Sequence, residues 1–308
     1  MAAKRKKRSS GSVIVSLILL IIIACGYFVL DNLGMLPDIT EETETHTESI
    51  EKAPEVTEGE VLFHFIDVGQ GDAILVTTTD GNMLIDTSII SKREELDAYL
   101  KAAGIETIDY LVLTHPDADH IGNADYIIEN YDIKNILLPD CVSTSATFER
   151  MLTAMENSDA NIINPEPGYV FYLGALQNTV LAPLDEYKDV NDMSIVIKAV
   201  FGDTSAMLTG DAEKYSEADI VERWSAEALD SDLLKVGHHG SETSTTDAFL
   251  EKVSPAIAVI SCGEGNKYGH PRPLLLDRLE AAGITVYRTD VDGTIVFKTD
   301  GKDFILVE

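Results

Sequence analysis

Within six positions the sequence places two histidines and two aspartates, His115-Pro116-Asp117-Ala118-Asp119-His120, directly after the apolar run Tyr110-Leu111-Val112-Leu113. Such a run followed by turn residues reads as a buried strand ending in a loop. Strand ends are where a rigid scaffold presents ligands. A solvated turn accounts for the proline and the aspartates, but not for a histidine at each end. Imidazole nitrogens and carboxylate oxygens this close together form a donor set for one or two divalent cations. The rest of the chain must then fold so as to bring further donors to this one strand end.

Candidates for those donors recur in the same setting. Five of the seven histidines fall in loops that follow apolar runs: His115, His120, His238, His239 and His270. His238 and His239 sit in Val236-Gly237-His238-His239-Gly240-Ser241, where flanking glycines let backbone and imidazole approach a ligand closely. Thr209-Gly210-Asp211 ends another strand, so Asp211 is either a donor or the N-cap of a helix starting at Ala212. His64 lies on the Leu62/Ile66 face of a strand and reads as a packed residue, while His46 lies in an acidic tract.

The element pattern from residue 60 onward is α/β. Residues 61–67, 73–78 and 82–86 read as strands, the last two joined by Asp80-Gly81, a strong hairpin signal. A helix over 91–103 with Ser91 as N-cap and Gly104 as stop, a strand over 108–114, and helices over 123–130 and 145–157 flanking a strand at 135–138 follow. Strands are then expected at 169–173, 177–181, 193–201 and 204–209, after which strand and helix alternate to the end. Two mixed sheets, each carrying helices, fit a four-layer αββα sandwich.

The amino terminus differs in kind. Residues 13–30 carry no charge and follow the basic cluster Lys4-Arg5-Lys6-Lys7-Arg8, which reads as a single transmembrane helix with residues 1–12 cytoplasmic and the body outside the cell. A lipoprotein cleavage box ending at Cys25 and a cleaved signal peptide share this layout. Residues 31–59, rich in Glu, Thr and Pro, read as a disordered tether. Residues 31–308 hold 18 Lys+Arg against 53 Asp+Glu, a net charge of −35. Such a surface repels phosphate backbones, which counts against tight non-specific DNA binding. Cys141 and Cys262 are the only cysteines of the body, so no disulfide framework is implied.

Taken in order, Phe65-Ile66-Asp67-Val68-Gly69-Gln70-Gly71-Asp72-Ala73, Leu84-Ile85-Asp86-Thr87, the loop from His115 to Gly122, Thr209-Gly210-Asp211, the His238-His239 loop and Tyr268-Gly269-His270-Pro271 resemble the metallo-β-lactamase superfamily. Within it, the similarity is to the hydrolase domain of ComEC-type DNA-uptake proteins and their free-standing relatives, over about residues 60–308. With one apolar span, no channel function carries over. The resemblance implies a site of His115, Asp117, Asp119, His120, Asp211 and His238 holding one or two ions, with Asp67, Asp72 and Asp86 in support. Asp117 stands where the superfamily has histidine, and no histidine lies between 121 and 237. The first ion thus lacks a usual ligand, near Asn191-Asp192-Met193-Ser194. Which of His238 and His239 is the ligand stays open, as does a ligand role for Asn191 or Asp192.

Such a site implies metal-assisted hydrolysis, in which cations lower the pKa of water and polarise the bond under attack. The expected substrate is a phosphodiester, including single-stranded DNA. Asp119, His239 and His270 are the expected catalytic residues, and Asn191, Ser194, Ser241, Lys267 and Arg272 the expected substrate contacts. The carboxylate at 117 favours Mn²⁺ over Zn²⁺. An esterase acting on phosphorylated cell-wall components and a catalytically weak binding module are the alternatives. No protein partner is read from the sequence.

Overall fold

The computed structural model describes residues 53–307. The basic cluster, the apolar span and the acidic tract up to residue 52 lie outside the described residues. Ala53, expected within the tether, is buried.

Two sheets form the centre. The first has eight strands in the order β15 (Phe304–Val307), β14 (Ile295–Thr299), β1 (Val61–Phe65), β2 (Ile74–Thr78), β3 (Gly81–Ile85), β4 (Thr107–Val112), β5 (Asp132–Leu137) and β6 (Asn161–Ile163). The second has seven: β13 (Thr285–Arg288), β12 (Ile257–Ile260), β11 (Leu233–Lys235), β10 (Thr204–Leu208), β9 (Val196–Phe201), β8 (Leu176–Ala182) and β7 (Val170–Leu173). Strand alternation sorts side chains between layers. Phe63 and Phe65 of β1 face Ile197 of β9, Leu208 of β10 and Val259 of β12 in the core between the sheets.

The outer faces are covered by helices. Leu96 and Leu100 of α1 (Arg93–Ala102), Ile127 of α2 (Ala124–Asn130), and Phe148 and Met151 of α3 (Ala146–Glu156) pack on Leu75, Leu84 and Leu111 of the first sheet. Ile220 of α4 (Lys214–Arg223), Leu229 of α5 (Ala226–Leu229), Phe249 of α6 (Asp247–Val253) and Leu275 of α7 (Pro273–Ala281) pack on Met207, Leu234 and Ile260 of the second. A last short helix, α8 (Thr289–Asp292), follows β13. The layers are helix, sheet, sheet, helix, the αββα order expected from the pattern.

Local departures have local causes. Ser91 does not cap a helix: it lies in a 3₁₀ turn, Ile90–Lys92, and Lys92 occupies the cap position of α1. The strand expected over 193–201 starts only at Val196, because Asn191–Met193 forms a 3₁₀ turn. The three-residue β6 carries no alternation that could announce it. β4, β10, β11 and β12 release their chains at their carboxyl ends into loops on one edge of the sandwich, the place where open α/β sheets bind ligands.

Candidate metal centre

The loop after β4 supplies His115, Asp117, Asp119 and His120, that after β10 supplies Asp211, and that after β11 supplies His238 and His239. His120 Nε2 stands 3.2 Å from Asp211 Oδ2 and 3.3 Å from His239 Nε2. His239 Nε2 is 3.3 Å from Asp211 Oδ2 and 3.6 Å from Asp119 Oδ2. Donor atoms of Asp119, His120 and His239 lie within 4.8 Å of one another, as do those of His115, His120 and Asp211. Buried His115 Nε2 and Asp211 Oδ1 have no hydrogen-bond partner, and a buried polar atom left unpaired is costly. Convergent nitrogen and oxygen donors, two of them unpaired, fit one or two divalent cations.

Each imidazole is held from behind. His120 donates from Nδ1 to Asp86 Oδ2 at 2.7 Å, and Asp86 also accepts the backbone N–H of Thr114 at 2.8 Å and its hydroxyl at 2.6 Å. His239 donates from Nδ1 to Ser261 O at 3.0 Å. His115 Nδ1 is 3.1 Å from Thr114 Oγ1 and 3.3 Å from Ser194 Oγ. With Nδ1 engaged, Nε2 of each ring is left to face the cluster.

The charges follow from this packing. Burial opposes imidazolium at His120, but Asp211 and Asp86 outweigh it and raise its pKa well above the usual histidine value. Burial likewise opposes ionisation of Asp119, yet His239 and His120 hold it down at about 2. His115, with burial dominant, falls to about 3 and stays neutral, which leaves its Nε2 lone pair for a cation. His238 and His239 both carry positive φ, 47° and 53°, a conformation that non-glycine residues rarely adopt and that clusters at functional sites. Their ring centroids lie 6.0 Å apart with the planes at 68°. Gly71 has a steric reason: a Cβ there would lie 2.3 Å from the carbonyl oxygen of Asp119.

Residues 66–264 match the Metallo-beta-lactamase superfamily. The chain belongs to this superfamily. It is 34% identical over 261 residues to ComE operon protein 3 of Bacillus subtilis (strain 168), covering 79% of this chain and 33% of that protein. It is 31% identical over 247 residues to Competence protein ComA of Neisseria gonorrhoeae, covering 79% and 33%. The chain thus spans about a third of the length of these relatives. Among solved structures, the metallo-beta-lactamase fold protein YhfI from Bacillus subtilis superposes with a TM-score of 0.53 at 12% identity, over 78% of this chain and 99% of that one. CmlA, a diiron beta-hydroxylase from Streptomyces venezuelae, gives 0.52 at 15% identity over 76% and 53%. Both show the fold. The chain is a metal-dependent hydrolase of the metallo-β-lactamase fold, related to competence proteins.

The structure places the two adjacent histidines differently. His239, expected in catalysis, is the one inside the donor cluster. His238, expected as a ligand, points its Nε2 toward Asp211 Oδ2 at 3.7 Å and donates from Nδ1 to Glu213 Oε1 at 2.7 Å. Both residues have left-handed backbone conformations, which no residue spacing announces. Asp117 stays at the rim, half exposed, with Oδ2 4.0 Å from His115 Nε2.

The second rank sorts likewise. Asp86 lies behind His120, and Asp72 is buried beneath the cluster, 2.9 Å from the ammonium of Lys235. Asp67 is exposed and caps a turn by accepting the N–H of Gly69 at 3.0 Å. Ser194 is buried and bridges the N–H of Asp211 and the ring of His115. Asp192 accepts the N–H groups of Glu213 and Ser216, each at 3.0 Å, at the start of α4; Asn191 Oδ1 is buried and unpaired. Ser241, also buried, shares a hydrogen bond with Thr243 Oγ1 at 2.7 Å. Lys267 and Arg272 are exposed, and the His270 ring meets that of His238 edge-on at 5.5 Å. Glu213 and Lys235 were not foreseen: the first reads as a surface glutamate, the second as a lone charge in an apolar run.

Proposed function

We propose that this chain is a phosphodiesterase, anchored by residues 13–30 with its body outside the cell, that acts on nucleic-acid phosphodiesters. The observation that carries the reading is the pairing of a deep N/O donor cluster with a half-buried histidine at its lip. Ions bound there would lower the pKa of water and draw electron density from the phosphoryl oxygens. His115, Asp119, His120, Asp211 and His239 would hold them, with Asp117 closing the first position from the rim. Burial opposes the charged form of His238, but its hydrogen bond to Glu213 and the nearby Asp211 raise its pKa. A protonated His238 suits it to give a proton to the leaving oxygen. His270 backs that ring, and exposed Lys267 and Arg272, which flank it in the chain, would meet a phosphate. Similarity to competence proteins supports nucleic acid as the substrate class.

The test compares turnover of single-stranded oligonucleotide, bis-nitrophenyl phosphate and a phosphorylcholine ester by metal-stripped protein reloaded with Mn²⁺ or Zn²⁺. Oligonucleotide turnover with Mn²⁺ supports the reading; hydrolysis of the choline ester alone replaces it with a wall esterase, and no turnover with either ion replaces it with a binding module. Replacing imidazole by carboxylate hardens the donor set, so Asp117→His should shift the activity optimum toward Zn²⁺. Full wild-type activity with zinc alone would make Asp117 a bystander.

A further inference from the structure

Among the described residues one lysine is buried, Lys235 at the end of β11. Its register partners are Leu208 on β10 and Val259 on β12, both in the core between the sheets. An apolar side chain would continue that layer. Instead the ammonium crosses to the loop between β1 and β2 in the other sheet, where Nζ lies 2.9 Å from Asp72 Oδ2, and it donates to the carbonyl of Val236 at 2.8 Å. A buried ion pair is a weak source of stability, because the cost of desolvating two charges offsets their attraction and apolar replacements are often neutral. Its position suggests another use.

Asp72 lies under the donor cluster. Its Oδ1 is 3.4 Å from His239 Nδ1, too long for a good hydrogen bond and close enough to attract the N–H that already points at Ser261 O. Donor atoms of Asp72, Asp211 and His239 fall within 4.8 Å of one another, as do those of Asp72, Asp86 and His120. Asp72 could therefore serve as a ligand itself if it turned. Four carboxylates share this floor, Asp72, Asp86, Asp119 and Asp211, and Lys235 is the fixed cation set against them.

We propose that Lys235 and Asp72 are positioning residues for His239. The lysine pins Asp72 from the opposite sheet, the pinned carboxylate and Ser261 O together fix the proton of His239 on Nδ1, and Nε2 is left to meet the ion. By occupying Asp72, the same ammonium keeps that carboxylate from competing for the ion. The proposal rests on His239 as a metal donor, and it is independent of the substrate.

The test uses the full 308-residue protein, stripped with chelator, melted without metal, and titrated calorimetrically with Mn²⁺ and with Zn²⁺. The double variant Lys235→Met with Asp72→Asn removes both charges and keeps the volumes. It should melt close to wild type and bind one ion per chain about 10- to 100-fold more weakly, the usual effect of losing a carboxylate behind a histidine ligand. Lys235→Met alone should melt lower, since it leaves Asp72 buried without its partner. A double variant that folds and binds both ions as wild type overturns the proposal, because the pair is then only structural. One that gives no cooperative melt also overturns it, placing the pair in folding. Wild type that binds neither ion sinks the metal-centre reading itself, and that failure is visible before any variant is made.

Discussion

Two aspartates that look equivalent in the sequence, Asp192 and Asp211, have different work. Asp192 Oδ1 accepts two N–H groups at the start of α4, and an asparagine oxygen can accept the same pair. Each has one buried, unpaired oxygen, Asp192 Oδ2 and Asp211 Oδ1, but Asp211 Oδ2 faces both His120 and His239. Asp211→Asn should reduce turnover of bis-nitrophenyl phosphate by at least about 100-fold by removing an anionic donor, whereas Asp192→Asn should stay near wild type in turnover and melting. Equal losses would show that the Asn191–Met193 turn belongs to the site. Away from it, His64 is buried between Tyr99 Oη at 2.8 Å and Thr77 Oγ1 at 3.3 Å, and burial lowers its pKa from 6.5 to about 4. A depressed histidine is neutral in the fold and takes a proton first in the unfolded chain. Its stabilisation is present above pH 6.5 and is lost as pH falls toward 4, which amounts to about 2 to 3 kcal/mol at pH 4.5. Urea unfolding of wild type and His64→Leu at pH 7 and pH 4.5 checks this: the acid loss should be smaller in the variant by that amount, and equal losses would place the proton elsewhere.

At the scale of elements, what could be read was whatever repeats. The alternation in β1 and the Asp80-Gly81 hairpin announce themselves, as do the apolar runs that deliver His115, Asp211 and His239 to one edge. Backbone conformation that no pattern encodes was not readable: the left-handed His238-His239 pair, the 3₁₀ turn at Asn191–Met193 and the three-residue β6. For the same reason the candidate ligands were legible as a set, while the choice between adjacent histidines was not. Lys235 escaped because a single charge in an apolar strand carries no period; only its partner in the other sheet gives it meaning. One such position allows a stability prediction. Exposed Ser254 ends α6 in the left-handed region, with φ 48° and ψ 45°, where glycine has no Cβ penalty. Ser254→Gly should stabilise the protein by about 0.5 to 1 kcal/mol in chemical denaturation; a loss of stability would mean that the serine hydroxyl contributes more than the backbone strain costs.

For the molecule as a whole, the acidic body and the proposed polyanionic substrate pull against each other. Residues 31–308 carry 18 basic against 53 acidic side chains, so an approaching oligonucleotide meets a repulsive field before it reaches Lys267, Arg272 or any bound cation. An ordinary DNA-binding protein loses affinity as salt rises, because binding releases counterions from the phosphate chain. Here salt should act in the opposite sense at first, since it shortens the reach of the repulsion from about 30 Å at 0.01 M to about 10 Å at 0.1 M while leaving contacts inside the cleft largely unscreened. Between those ionic strengths KM for a single-stranded oligonucleotide should fall severalfold, with kcat little changed, whereas KM for bis-nitrophenyl phosphate, a monoanion, should move much less. Steady-state kinetics over a sodium chloride series at constant Mn²⁺ measure both. If KM for the oligonucleotide instead rises steadily from the lowest salt, the basic rim outweighs the body, and the acidic surface has no part in how substrate is admitted.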